Sequence, residues 1–160
     1  MKNWAKKEVP NLEVCKKLKE LGYPQNLDGW YWVKTGREWK LSLLYERKYK
    51  LLKGKRIVIE TDDSVGGIGF EVEESIKAPT CRELGEWLPY YLPELKFLHI
   101  ERNEDGFHYY YPAEIADEAY VIANNEANAR AKIIIFLAEN GYIKLETGDV
   151  GNGNGERINQ

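Results

Sequence analysis

Between Asn11 and Gly22 the apolar side chains Leu12, Cys15, Leu18 and Leu21 recur every three residues, with lysines on the opposite face. That period is one stripe of an α-helix. Asn11 supplies an N-cap, Gly22 a stop and Pro24 a block to continuation, so the spacing predicts a helix over 12–21. Residues 1–10 ahead of it read as a polar lead-in ending at Pro10.

The period then shortens. Gly29-Trp30-Tyr31-Trp32-Val33 is aromatic and β-branched, a turn follows at Thr35-Gly36, and Trp39, Leu41, Leu43 and Tyr45 alternate with mostly polar or small residues. This predicts a hairpin. A second pair is predicted from 48–52 and 56–60 around Lys53-Gly54-Lys55, followed by a partly buried edge strand over 68–76. Thr80 opens a second helix with Glu83 in the capping-box position and Cys81, Leu84, Trp87 and Leu88 on its apolar face. Strands at 95–102 and 107–111 flank the turn Asn103-Glu104-Asp105-Gly106, and a short strand is expected at 119–122.

Asn124 or Asn125 caps a third helix that runs to about Asn140 and ends at Gly141. Its run Ile133-Ile134-Ile135-Phe136-Leu137 is apolar at adjacent positions, so that helix is expected to lie largely buried across the sheet. Residues 148–160, with Gly and Asn at nearly every other position, read as a disordered tail. The expected organisation is a single α+β domain over 11–147, an antiparallel sheet of hairpins packed with three helices.

Composition narrows the classes. A chain of 160 residues that is 43% hydrophobic buries enough surface to need neither disulfides nor metal, and Cys15 and Cys81 have no metal spacing. No apolar run approaches the roughly 20 residues of a membrane span. The basic start lacks the apolar stretch of a secretory signal. A soluble, cytoplasmic protein without membrane association is the expectation. Phosphate-loop, zinc-protease and nucleophile-elbow motifs do not occur, so no catalytic residue, cofactor or metal is assigned. Gly66-Gly67-Ile68-Gly69 reads as a hairpin loop and Asp62-Asp63 as solvated acids.

Three surfaces carry candidate chemistry. Aromatic residues come in consecutive runs at Trp30-Tyr31-Trp32, Pro89-Tyr90-Tyr91 and Tyr109-Tyr110-Tyr111, and a strand must point alternate members to opposite faces. Trp30, Tyr31, Trp32, Tyr90, Tyr91 and Tyr110 are therefore candidate contacts for a protein partner. Second, Arg47, Lys48, Lys50, Lys53, Lys55 and Arg56 put six cations and no anion in ten residues of a chain whose net charge is -3. Such a hairpin can hold the phosphates of a nucleotide or nucleic acid, although lysines also guard edge strands against pairing. Third, if Asn103 pairs with Gly106, then His99, Glu101, His108 and Tyr110 share one face of a hairpin and Leu98, Ile100, Phe107, Tyr109 and Tyr111 the other. Two imidazoles and a carboxylate are a conceivable metal or acid–base set, or simply the solvent face.

The phrase Leu12-Glu-Val-Cys15-Lys-Lys-Leu-Lys-Glu-Leu-Gly22-Tyr-Pro-Gln25 followed by Trp30-Tyr-Trp32 resembles the opening of small uncharacterised proteins of bacteriophages, prophages and mobile elements. Ile76-Lys-Ala-Pro79-Thr-Cys-Arg-Glu-Leu84-Gly-Glu-Trp-Leu-Pro89 is similar to their middle, and Ala127-Asn-Ala-Arg130-Ala-Lys with Glu139-Asn-Gly-Tyr-Ile143 to their ending. The resemblance implies an accessory protein that binds a host macromolecule and modulates a host process or defence. It implies no residue roles.

Overall fold

The structure, a computed structural model, describes residues 4–25, 28–44, 57–60, 69–72, 74–112 and 119–145. The basic stretch Arg47, Lys48, Lys50, Lys53, Lys55 and Arg56, the Asp62-Asp63 pair and the tail 148–160 lie outside the described residues.

The class is α+β. Among the described residues the helices are α1 (Ala5–Glu8), α2 (Leu12–Glu20), α3 (Cys81–Trp87) and α4 (Glu126–Glu139). The caps are the ones the sequence offers. Asn11 accepts from Val14 N at 3.0 Å, Asn125 from Asn128 N at 3.1 Å, and Thr80 and Glu83 form a reciprocal capping box. Helices α2 and α4 are also tied together, because the Asn128 side chain accepts from Asn11 N, at the cap of α2, at 2.8 Å.

One three-stranded antiparallel sheet has the order β2 (Glu38–Leu44), β1 (Gly29–Thr35), β5 (Glu74–Lys77). Another has the order β10 (Tyr120–Ala123), β9 (Gly106–Tyr110), β8 (His99–Asn103). Among the described residues two ribbons complete the set: β3 (Ile57–Glu60) with β4 (Gly69–Val72), and β6 (Tyr91–Leu92) with β7 (Lys96–Phe97). The pairing expected between 48–52 and 56–60 involves residues 48–52, which lie outside the described residues; the strand at 57–60 pairs with 69–72. One expectation changes here. The stretch expected as one strand over 68–76 instead serves two sheets, with 69–72 on β3 and 74–77 on β1.

Helix α2 lies between two apolar cores. Val14 and Leu18 join a large cluster with α3, α4, Tyr109 and Tyr111, while Cys15 joins a smaller one with Ala5, Val9, Leu41, Ile76 and Ala78. The lead-in is therefore folded in, since Ala5 and Val9 are buried in that smaller core. Helix α4 buries Ala127, Ala129, Ala131, Ile133, Ile134 and Leu137 and packs on β9 and β10, as its apolar run requires. A buried ion pair links the β1 sheet to α3. Lys77 is 0% exposed, and its Nζ lies 3.0 Å from Glu83 Oε2 and 3.0 Å from Asp28 O. Burial pushes its pKa down and Glu83 opposes the shift.

Candidate functional site

The Asn103–Gly106 turn is built first. Gly106 has φ +124°, a region L side chains avoid, and a Cβ there would sit 2.5 Å from Ala123 O. The Asn103 side chain accepts from Asp105 N at 2.8 Å, the local bond that favours Asn at turns. The turn sets the register: Asn103 opposite Gly106, Glu101 opposite His108, His99 opposite Tyr110. On the other side β10 puts Tyr120 opposite Tyr110 and Ile122 opposite His108.

Side chains alternate across a strand, so this register sorts two faces. Phe107, Tyr109, Val121 and Ala123 join the core beneath α4. His99, Glu101, Asn103, His108, Tyr110, Tyr120 and Ile122 share the other face, which is largely open. Ile100 departs from the expected inward set. It is 47% exposed, because β8 is the edge strand and its five residues are all exposed.

Three rings cross the open face as one stack. His99 and Tyr110 are 5.2 Å apart at 23°, and Tyr110 and Tyr120 are 5.1 Å apart at 26°. The polar tips are paired with one another. The Tyr110 hydroxyl donates to Glu101 at 3.0 Å, which raises the pKa of that phenol. Tyr120 is bonded through its hydroxyl to His108 Nδ1, and His108 Nε2 lies 2.9 Å from Asn103 Oδ1. His108 itself is only 5% exposed.

The sequence-derived candidates therefore divide. His99, Glu101, His108 and Tyr110 do share a face, but the metal reading of the first three is corrected. Both His108 nitrogens are engaged, Glu101 accepts from Tyr110, and among the described residues no group of three or more His, Cys, Asp or Glu can hold an ion. The reading of Trp30, Tyr31 and Trp32 as one contact surface is corrected too. Tyr31 is buried and its hydroxyl donates to Gln25 O at 2.6 Å. Trp30 and Trp32 are half-buried against the smaller core, and Trp32 Nε1 donates to Pro10 O at 3.1 Å. The cause is coverage of both faces of β1, which the N-terminal segment completes.

Tyr90 and Tyr91 are exposed, at 75% and 47%. Tyr91 packs on Phe97 with ring centres 4.9 Å apart. Leu98 N donates to Tyr90 O at 2.8 Å, so this ribbon abuts the start of β8. Sequence reasoning missed Tyr120, Phe97 and the role of Asn103. The signal for Tyr120 was its place at the start of the strand expected over 119–122. No family model, curated protein or solved structure matches the chain.

Proposed function

We propose that this chain is a non-catalytic binding protein whose contact surface is the open face of the β8–β9–β10 sheet. One observation carries the reading: His99, Tyr110 and Tyr120 stand stacked on one face, the outer two rings exposed and Tyr110 half-buried between them, while the other face is packed under α4. Tyr and His rings offer contact area with few rotors and polar tips. Rings already held by stacking and by Glu101, His108 and Asn103 have little freedom left to lose on association. Exposed Tyr90, Tyr91 and Phe97 extend the aromatic surface at the β8 end. The resemblance to phage-borne accessory proteins fits a host macromolecule as the partner.

A second reading rests on the run of cations over 47–56, which suits phosphate groups. Affinity capture from bacterial lysate with the tagged chain, with and without nuclease, separates the two. A protein partner that survives nuclease is the expected result. Partners lost with nuclease, or a co-purifying nucleotide, overturn the aromatic-face reading in favour of the basic segment.

A further inference from the structure

The hydrogen bonds around His108 determine where its proton sits. Asp105 N donates to Asn103 Oδ1, so the oxygen of that amide, and not its nitrogen, faces His108 Nε2. An amide oxygen only accepts, so Nε2 carries the hydrogen. In the neutral ring Nδ1 then holds the lone pair, and the Tyr120 hydroxyl donates to it. A backbone N–H thus orients an amide, the amide orients an imidazole, and the imidazole presents a base to a phenol.

Tyr120 differs in this from the other tyrosines whose hydroxyl bonds are seen. Tyr31 and Tyr111 donate to the backbone carbonyls of Gln25 and Pro89, and Tyr109 and Tyr110 to the carboxylates of Glu126 and Glu101. Those acceptors are backbone carbonyls and carboxylates, whereas an imidazole is the side chain most often used as a general base. Tyr120 is also 45% exposed, while its base lies beneath it at 5%. A nucleophile joined to a base that a third group orients is the arrangement that activates a hydroxyl.

We propose that Tyr120 is a nucleophilic acceptor site for an acyl group delivered by an activated aryl ester, with His108 as its base and Asn103 as the positioning residue. The Tyr120 oxygen attacks the ester carbonyl carbon while its proton passes to His108 Nδ1. The new oxygen–carbon bond forms as the bond to the aryl oxygen breaks. The departing aryloxide takes its electron pair and recovers the proton from the imidazolium. The products are O-acyl-tyrosine and a free phenol. An activated aryl ester suits the site because its leaving oxygen is less basic than the attacking phenolate and departs first; an alkoxide would be far more basic.

The test needs no partner, so its failure leaves the binding reading intact. The full chain is treated with p-nitrophenyl acetate, and the acetyl group is mapped by peptide mass spectrometry over time. Tyr120 is expected to acetylate at least about tenfold faster than the more exposed Tyr90, in line with general-base assistance. His108→Gln should bring Tyr120 down to the Tyr90 rate. Asn103→Ala should slow it, and Asn103→Asp, which keeps an oxygen acceptor for Nε2, should restore it. If His108→Gln fails to fold, the two Asn103 variants decide the matter. Equal labelling of Tyr120 and Tyr90 in the unmodified chain overturns the proposal, as does an Asn103→Ala rate equal to that of Asn103→Asp.

Discussion

Tyr110 and Tyr120 sit opposite each other on β9 and β10 with ring centres 5.1 Å apart, and His99 extends the stack across β8. Such cross-strand aromatic pairs contribute roughly 0.5–1.5 kcal/mol. Tyr120→Ala should therefore lower stability by about 1 kcal/mol in urea titration and leave unfolding cooperative. A loss beyond about 3 kcal/mol would show that Tyr120 serves the core, where large aromatic truncations cost that much.

The Lys77–Glu83 pair makes a sharper claim about stability. Glu83→Gln keeps an oxygen for the Thr80 cap but leaves a fully buried ammonium without its counter-charge. A cost of roughly 3 kcal/mol is expected. Adding Lys77→Met should recover a large part of it. A double variant less stable than Glu83→Gln alone contradicts this account.

The same lysine has a pH signature. Its folded pKa lies below the ordinary 10.5, so between those two values the unfolded chain holds more protons than the folded one. Stability contributed through Lys77 then rises with pH across that window. The rise should be steeper in Glu83→Gln, where the largest opposing charge is gone and the weaker effect of Asp28 is left, and absent in Lys77→Met. Urea midpoints measured from pH 8 upward, compared among the three chains, check the sign.

Thiol chemistry separates folded from unfolded chain. Cys15 is fully buried and burial pushes its thiol up to about 12; the half-buried Cys81 is pushed up to about 11. Thiolate is the reactive form, so both should alkylate slowly at pH 8 in the native chain and quickly in denaturant. Fast native labelling of Cys15 would mean that the smaller core opens readily.

Gly106 closes the turn that sets the face. Gly106→Ala places a Cβ against Ala123 O in a backbone region that alanine avoids, and should cost roughly 2 kcal/mol or more. The same substitution at Gly36, whose φ is +65° but where a Cβ meets nothing within 4 Å, should cost less. Equal losses would indicate that conformation alone, without crowding, governs both turns.

Local chemistry was legible wherever a few neighbouring residues decide the outcome. Asn11, Thr80 with Glu83, and Asn125 each cap a helix by bonds spanning three residues. The Asn103–Gly106 turn fixes its hairpin in the same way, and with it the shared face of His99, Glu101, His108 and Tyr110. What depends on distant segments was not legible. Trp30 and Trp32 are covered through residues such as Pro10, Cys15 and Ala5. Tyr120 joins the stack only because β10 pairs with β9, a register no turn residue announces. His108 looked like a ligand because its two hydrogen-bond partners come from different strands.

The proposed contact surface is the open aromatic face. It is tested most directly by nuclease-treated affinity capture with the unmodified chain beside a Tyr110→Ala/Tyr120→Ala variant and a Trp4→Ala variant, all shown to unfold cooperatively. Trp4 is 54% exposed and lies against Trp30, away from the stack, so it controls for general aromatic stickiness. The captured protein should fall at least about tenfold with the double variant, the loss expected where central aromatic contacts are removed, and persist with Trp4→Ala. Undiminished capture by the double variant would contradict the account.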